Sequence, residues 1–333
     1  SPPAITAEQD RRSYVDSFAE HLRKQQAGAW SRMFHLIVPE SFWANSISCL
    51  SCESTALAHL FHEMEARLVG YEEDATNVHV PMRIAFERGA ARQYKAGWIN
   101  YASSNFGDAC NYFTQEPIVP RGAKSWFHSK YSITDGVSIS WYRKMYYLNY
   151  LSGASAVHLE QGMANQWILP GPGSHKITLS PFGRVTEDFM AFVDRLPDRG
   201  EPYTPVAFLL DYAHCYDRVS YSGKMLNHFV ENDDDRELRE LFNVCWFPAG
   251  IMEGMPAAPD IQSMPGGQYG NIFDILVDRS SRAQSVMDYP VVWLAGSPAL
   301  ADPWPEVLAG YVRRGGTLVI NESCAAGGRL DAL

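Results

Sequence analysis

Residues 67–102 decide the fold, because they place a helix pattern between two strand patterns. The run RLVGYEE at 67–73 is apolar and ends in two acids, and GWINYA at 97–102 is a second apolar run. The residues from Met82 to Tyr94 between them predict a helix. Strands of continuous apolar character that alternate with helices predict a parallel sheet covered by helices on its outside.

The same alternation continues on both sides of this unit. The further elements are predicted helices at 7–27, 56–64 and 137–151 and predicted strands at 33–38 and 156–159. Another helix is predicted after Ser180, a natural N-cap, with Pro181 at the first helical position. Polar or acidic residues follow the strands, which is where (β/α) barrels carry their chemistry. We predict that residues 1–200 form the carboxyl-terminal part of a TIM (β/α) barrel.

A second strand and helix rhythm begins after the turn-rich stretch 197–202, PDRGEP, which we interpret as a domain boundary. The predicted elements are strands at 206–211, 290–295 and 317–320 and helices at 236–247 and from 302 to the Gly315-Gly316 pair. Residues 201–333 are therefore expected to form an open, flavodoxin-like α/β domain. The chain starts at Ser1 without Met and stops soon after a strand, so we expect a fragment and leave its localisation open.

Composition describes an ordinary globular chain that is rich in aromatic residues. Of 333 residues, 46% are hydrophobic and 13% aromatic, and the net charge is −10. That charge argues against nucleic acid or an anionic membrane surface as a partner, since both require clustered Lys and Arg. Of the 6 cysteines, only Cys49 and Cys52 are closely spaced, without a second pair, so neither a metal nor a redox site is predicted.

Several stretches resemble bacterial barrel glycosidases of family 42, the β-galactosidases. The stretches are 86–94 (FERGAARQY), 141–154 (WYRKMYYLNYLSGA), 289–296 (YPVVWLAG) and 311–319 (YVRRGGTLV). The last two are similar to the trimerisation domain of that family, which resembles class I glutamine amidotransferases without their catalysis. Over roughly residues 60–325, the resemblance implies a glycoside hydrolase that acts on a carbohydrate substrate, assembles as a homo-oligomer and needs no cofactor.

Glycoside hydrolysis requires two carboxyl groups that flank the scissile bond. Glu160 is the leading candidate because it follows an apolar strand, and Glu72, Glu73 and Glu40 are the alternatives for its partner. Glu160 could instead be a strand-end carboxylate that pairs with a neighbouring Arg or forms a hydrogen bond with a loop. A retaining mechanism on a β-linked sugar is the favoured form.

The strand count leaves the catalytic assignment open. On one count, Glu40 and Glu160 occupy the fourth and seventh strands, where the family carries its acid/base and nucleophile. On the other count, they belong to the fifth and eighth strands. The seventh strand is then residues 98–102, which offers Asn100 and the following Ser103 and Asn105 but no carboxylate.

Residues that could bind a sugar surround these carboxylates in the sequence. The candidates for hydrogen bonding and stacking are Asn105, Asp108, Asn111, Tyr112, Trp126, His128 and Trp167. His79 and His158 lack a partner at metal-ligand spacing and are predicted to be core or supporting residues. The acidic stretch 232–235 is predicted to be a solvated loop ahead of a helix.

Two other functions are alternatives to a hydrolase. A carbohydrate-binding barrel could retain the aromatic residues and lack one carboxylate. An amidotransferase-like or assembly module could use Cys324, which follows a strand where amidotransferases place their nucleophile. Glu322 stands two residues before Cys324, where the strained nucleophile turn requires a small residue. The sequence therefore favours the hydrolase.

Overall fold

The computed structural model describes residues 8–25, 47–48, 57–73, 80–102, 139–159, 166–168, 173, 175–214, 230, 232–246, 269–322 and 324. The fold is mixed α/β with parallel sheets. The helices are α1 (Glu8–Gln25), α2 (Leu57–Glu63), α3 (Val80–Tyr94), α4 (Ile139–Leu151), α5 (Pro181–Arg195), α6 (Asp233–Trp246) and α7 (Trp304–Arg313). None of them is long and apolar enough to cross a bilayer.

The first sheet consists of parallel strands in the order in which they occur along the chain, β1-β2-β3-β4. The strands are β1 (Ile47–Ser48), β2 (Leu68–Glu73), β3 (Gly97–Ala102) and β4 (Ala156–Leu159). The predicted elements at 67–73, 82–94, 97–102, 137–151 and 156–159 are thus confirmed to within about two residues at their ends. The predicted strand 33–38 lies outside the described residues, and no closed barrel is seen in the part of the chain that the structure describes.

The second sheet is also parallel, but its strands do not follow chain order. The strands are β7 (Val206–Leu210), β8 (Phe273–Val277), β9 (Val291–Ala295) and β10 (Thr317–Ile320), in the order β8-β7-β9-β10. A short antiparallel ribbon of β5 (Trp167–Ile168) and β6 (Thr178–Leu179) precedes α5. As predicted, Ser180 caps α5, and its Oγ accepts a hydrogen bond from the Gly183 N–H at 3.0 Å.

Helix α1 packs against the second sheet although it precedes the first sheet in sequence. Val15 belongs to the same core as Phe208 of β7 and Leu238 of α6. The Arg11 guanidinium donates to both carboxylate oxygens of Asp235, at 2.9 and 2.6 Å. The strands of the two larger sheets therefore lie on opposite sides of the predicted boundary near residue 200 in the sequence. Helix α1 precedes this boundary but packs against elements that follow it.

The prediction of a solvated acidic loop at 232–235 is wrong. Asp233, Asp234 and Asp235 form the first turn of α6, and Asp235 is buried. Acidic residues are favourable at this end of a helix because they face the positive end of its dipole. Asp235 additionally accepts from Arg11 and contacts the His214 ring nitrogen Nδ1 at 2.9 Å, so long-range partners bring it into the core.

Helix α3 joins the two sheets by capping the edge of β8. Alternate residues of β8 direct their backbone N–H and carbonyl groups away from β7. Side chains from the first half of the chain form hydrogen bonds with these groups. The Gln93 amide donates to the Val277 carbonyl at 2.8 Å and accepts from the Val277 N–H at 3.1 Å. His59 Nε2 lies 3.0 Å from the Ile275 carbonyl, and Arg88 donates to the Phe273 carbonyl at 3.0 Å. An exposed row of such groups would invite pairing with another strand.

The contact between helix α3 and strand β8 depends on Gly89, which has no side chain. A Cβ on Gly89 would lie 2.0 Å from the Ile275 carbonyl oxygen, so the helix approaches the strand backbone directly. Beside it, buried Asp274 accepts from Arg88 Nε and Arg92 Nη1, each at 2.6 Å, and from the Tyr289 hydroxyl at 2.9 Å. Strand β8 was not predicted from the sequence, because this aspartate interrupts its apolar run.

Replacing Gly89 with Ala should destabilise the protein by about 3 kcal/mol, since overpacking against backbone forces the helix away from the strand. The free energy of unfolding from urea titration measures the effect. The matched control is Gly310→Ala in α7, where the nearest atom to an added Cβ is Met287 Cε at 4.0 Å. That change should be neutral or stabilising, because Ala favours helices over Gly. Equal stabilities of the two variants would contradict the close approach.

Candidate functional site at the carboxyl ends of the first sheet

The carboxyl ends of β2, β3 and β4 meet at one edge of the first sheet. Glu73 is paired in register with Ala102, and Ala102 with Leu159, so the three strands end level with one another. Three of the predicted catalytic residues stand at or next to these strand ends in the sequence. Glu72 and Glu73 are the last two residues of β2, and Glu160 is the residue after β4. The face of the sheet on which each side chain lies then decides its chemistry.

Glu73 lies on the face of the sheet that packs against helices. Tyr71, two residues earlier and hence on the same face, shares a core with Ile84 and Ala91 of α3. The Asn149 amide of α4 donates to Glu73 Oε2 at 3.0 Å. Glu73 is thus enclosed between β2, β3 and the helix layer, with no exposed surface.

The carboxylate of Glu73 is held by hydrogen bonds to one of its oxygens. Besides Asn149, Oε2 accepts from the Asn100 amide at 2.7 Å and from the Tyr71 hydroxyl at 3.0 Å. Oε1 has no hydrogen-bond partner among the described residues. Burial raises the pKa of Glu73 from 4.5 to about 7, although the three hydrogen bonds and the charge of Arg83 act in the opposite direction.

A carboxyl group with a pKa near neutrality is typical of functional sites, but a catalytic acid must also reach its substrate. Complete burial among side chains of the same chain favours a structural role for Glu73, as a strand-end carboxylate held by its neighbours. Its hydrogen bonds connect two strands of the sheet to α4. The geometry therefore supports a positioning role for Glu73 at this edge.

The opposite face of the sheet carries an aromatic pair. Tyr101 of β3 and His158 of β4 are partners in register, and their rings stack with centroids 5.2 Å apart and planes at 21°. Val157 and Leu159 pack towards the helices, whereas His158 is exposed and Tyr101 is half-buried. Of the two predicted roles of His158, core residue or supporting residue, the core role is therefore wrong. Alternation along a strand places it on the other face, a signal that was present in the sequence.

Most of the other predicted site residues belong to segments that the structure does not describe. Outside the described residues lie Glu160, Glu40, Asn105, Asp108, Asn111, Tyr112, Trp126 and His128. The Glu72 backbone pairs with Tyr101 in the sheet, while its side chain is not among those described. Trp167 lies in the β5-β6 ribbon opposite Leu179, and its side chain is 40% exposed.

Cys324, the candidate nucleophile of the second half, is buried. Its thiol donates to the Gly296 carbonyl at 2.9 Å, and its N–H donates to the Asn321 side chain at 3.1 Å. Reactive cysteines occupy electropositive and partly exposed surroundings that stabilise the thiolate. A buried thiol bonded to a carbonyl oxygen is the opposite case. In the described part of the chain, no group of three or more His, Cys, Asp or Glu side chains could hold a metal ion.

In comparisons with known proteins, the chain matches no protein-family model and no curated sequence. The likeness to family 42 β-galactosidases over residues 60–325 therefore stays a prediction from sequence pattern. What is established is a parallel α/β fold in which several strand ends meet at one edge of the first sheet. That edge has a buried carboxylate on one face and an aromatic pair on the other.

The raised pKa of Glu73 predicts a pH-dependent stability. Between about pH 4.5 and 7 the unfolded chain ionises this carboxyl group while the folded protein keeps it protonated, so stability should fall as the pH rises through this window. The full loss should be on the order of 3 kcal/mol. Glu73→Gln, which stays neutral, should lack this fall, and denaturant titrations at several pH values measure it. If Glu73→Gln and the exposed control Glu240→Gln show the same pH profile, the shift is refuted.

Proposed function

We propose that this chain is part of a glycoside hydrolase that cleaves a glycosidic bond with two carboxyl groups, in a retaining and β-galactosidase-like manner. The observation that carries the proposal is the level edge of β2, β3 and β4. There the half-buried Tyr101 of β3 stacks on the exposed His158 of β4; β3 neighbours β2, which contains Glu72, and β4 leads into Glu160. Aromatic rings stack on the apolar faces of sugars, and hydrolysis needs paired carboxyl groups.

The proposed architecture is an arc of a TIM barrel followed by a flavodoxin-like domain. Parallel strands in chain order with helices on one face are what neighbouring units of such a barrel contain. The second sheet has its strands in the order second, first, third and fourth, which is the order of flavodoxin-like sheets. If this second half acts as the trimerisation domains it resembles, the protein is a homo-oligomer.

In the proposed site, Glu160 and Glu72 are the pair that would act on the sugar, and Glu40 is the alternative partner. One carboxyl group protonates the leaving oxygen while the other attacks the anomeric carbon, and water then releases the product. Glu73, held by Asn100 and Asn149, would fix the end of β2 and thereby the backbone position of Glu72. No step in this chemistry uses a cofactor.

Glu160→Gln should lower kcat/KM on an aryl β-galactoside by at least about a hundredfold, the usual effect of losing an acid/base or nucleophilic carboxyl group. The initial rate of aryl alcohol release measures it, and circular dichroism verifies folding. The control Glu240→Gln changes an exposed glutamate of α6 and should leave turnover intact. Undiminished turnover in Glu160→Gln would refute the assignment.

Tyr101→Ala should raise KM about tenfold while Tyr101→Phe retains the wild-type value, since the ring rather than the hydroxyl supplies a stacking surface. Steady-state kinetics on the same aryl glycoside measure both variants. Wild-type KM in Tyr101→Ala would rule out the aromatic pair as part of the sugar site and leave the carboxylate assignment to be judged by Glu160→Gln.

A non-catalytic carbohydrate-binding barrel is the second candidate. The observation in its favour is that Glu73, one of the predicted carboxylates, is enclosed by its own chain and so cannot contact a sugar. This candidate predicts that the wild-type protein binds galactosides in a calorimetric titration without releasing product from an aryl galactoside. The hydrolase predicts both binding and release.

A further inference from the structure

A cavity of about 500 Å³ lies at the amino-terminal ends of β2 and β3, at the other end of these strands from the candidate site. Arg67, directly before β2, and Gly97, the first residue of β3, line it. Tyr94 at the end of α3 forms another part of the lining, and Arg282, from the segment after β8, joins from the second half of the chain. We call it the junction cavity, and its volume is in the range of small-molecule sites.

Two buried side chains that line the junction cavity have polar atoms without a partner. His62 Nδ1 lies 2.7 Å from the Ala66 carbonyl and must donate to it, so Nε2 of the neutral ring is an acceptor. His62 is only 5% exposed, and burial lowers its pKa, which keeps the ring neutral. Nε2 has no hydrogen-bond partner among the described residues.

Tyr94 supplies the complementary group. Its ring stacks on that of His62 with centroids 6.2 Å apart, and the residue is 7% exposed. Its hydroxyl likewise has no hydrogen-bond partner within the described residues. Buried polar atoms in proteins nearly always have a protein, water or ligand partner. Both atoms are themselves buried, so a hydroxyl group that donates to His62 Nε2 and accepts from Tyr94 would satisfy both once the lining side chains shift to admit it.

The charged side chains around these two groups favour an anion. Lys95 and Arg282 are exposed residues of the lining, and the Arg282 guanidinium lies 5.4 Å from the centre of the Tyr94 ring. Of the acids in the lining, Glu63 is paired with Arg279 and, at 3.3 Å, with Arg23, which offsets its charge. Glu65 is the other acid, and Lys95 and Arg282 together outnumber it.

We propose that the junction cavity binds a small hydroxylated anion, either a hydroxycarboxylate or a phosphorylated polyol. The ligand hydroxyl bonds to His62 and Tyr94, and its anionic group lies between Lys95 and Arg282. Because Arg282 comes from the second half of the chain and the other groups come from the first, an occupant stabilises the junction between the two sheets. The proposal does not depend on hydrolase activity.

Thermal unfolding of the full chain tests the site with malate, glycerol phosphate, inorganic phosphate and sodium chloride at equal ionic strength. A ligand that binds the folded state raises Tm, and the rise increases with the ratio of ligand concentration to Kd. Malate or glycerol phosphate should raise Tm, and the more effective of the two identifies a carboxylate or a phosphate as the anion. Inorganic phosphate should act more weakly, and sodium chloride should have no effect.

Three variants distinguish this site from general ion binding. Tyr94→Phe and Lys95→Ala should each weaken binding of the effective probe about tenfold, as expected for one hydrogen bond or ion contact. Arg313→Ala, which changes an exposed arginine of α7 outside the cavity, should bind as the wild type does. Without ligand, Tyr94→Phe should be at least as stable as the wild type, since it removes a buried hydroxyl whose partner is absent from the described residues.

Several results would overturn the proposal. The first is a Tm that no organic probe raises beyond the chloride control, and the second is inorganic phosphate acting as strongly as the more effective organic probe. The others are an unchanged affinity for that probe in Tyr94→Phe and a loss of stability in Tyr94→Phe without ligand. None of them bears on the carboxylates at the opposite end of the sheet, so the hydrolase proposal is judged separately.

Discussion

The structure depends on the contact of helix α3 with the backbone of edge strand β8. Gly89 allows the helix to approach the Ile275 carbonyl, and Gln93 completes the hydrogen bonds of Val277 as a neighbouring strand would. Unsatisfied backbone groups at a buried edge are costly, so these contacts also protect the sheet. Because α3 covers β2 and β3 with its other residues, one helix orders both sheets.

Charge strengthens this junction. Asp274 has no exposed surface, and two arginines of α3 and one tyrosine donate to it. A buried ion pair contributes little net stability over an apolar pair, but the loss of one partner is strongly destabilising because a charge is left without compensation. The ion pairs therefore favour one specific packing position of α3 against β8. The junction cavity lies at the end of the same helix, where Tyr94 follows Gln93.

The two faces of the first sheet differ in what they can do. Towards the helices, Glu73 is bonded to Asn100 and Asn149 and serves to hold β2, β3 and α4 together. On the other face, Tyr101 and His158 present stacked rings at the same strand ends. Adjacent residues of a strand point to opposite faces. A shift of one residue along a strand thus separates the buried carboxylate from the aromatic rings of the other face.

The sequence by itself determined most of the local structure. The strands at 67–73, 97–102 and 156–159, the helices between them and the Ser180 cap follow from apolar patterning and capping chemistry, which depend on near neighbours. Only the tertiary structure decided three other points: that α1 packs on the second sheet, that Asp235 is buried, and that β8 is a strand despite Asp274. Each depends on a partner far away in sequence, Phe208, Arg11 and Arg88 respectively. Hydrophobic periodicity does not identify such partners. Whether a charge is buried, or where a helix packs, depends on the residues that surround it in the folded protein.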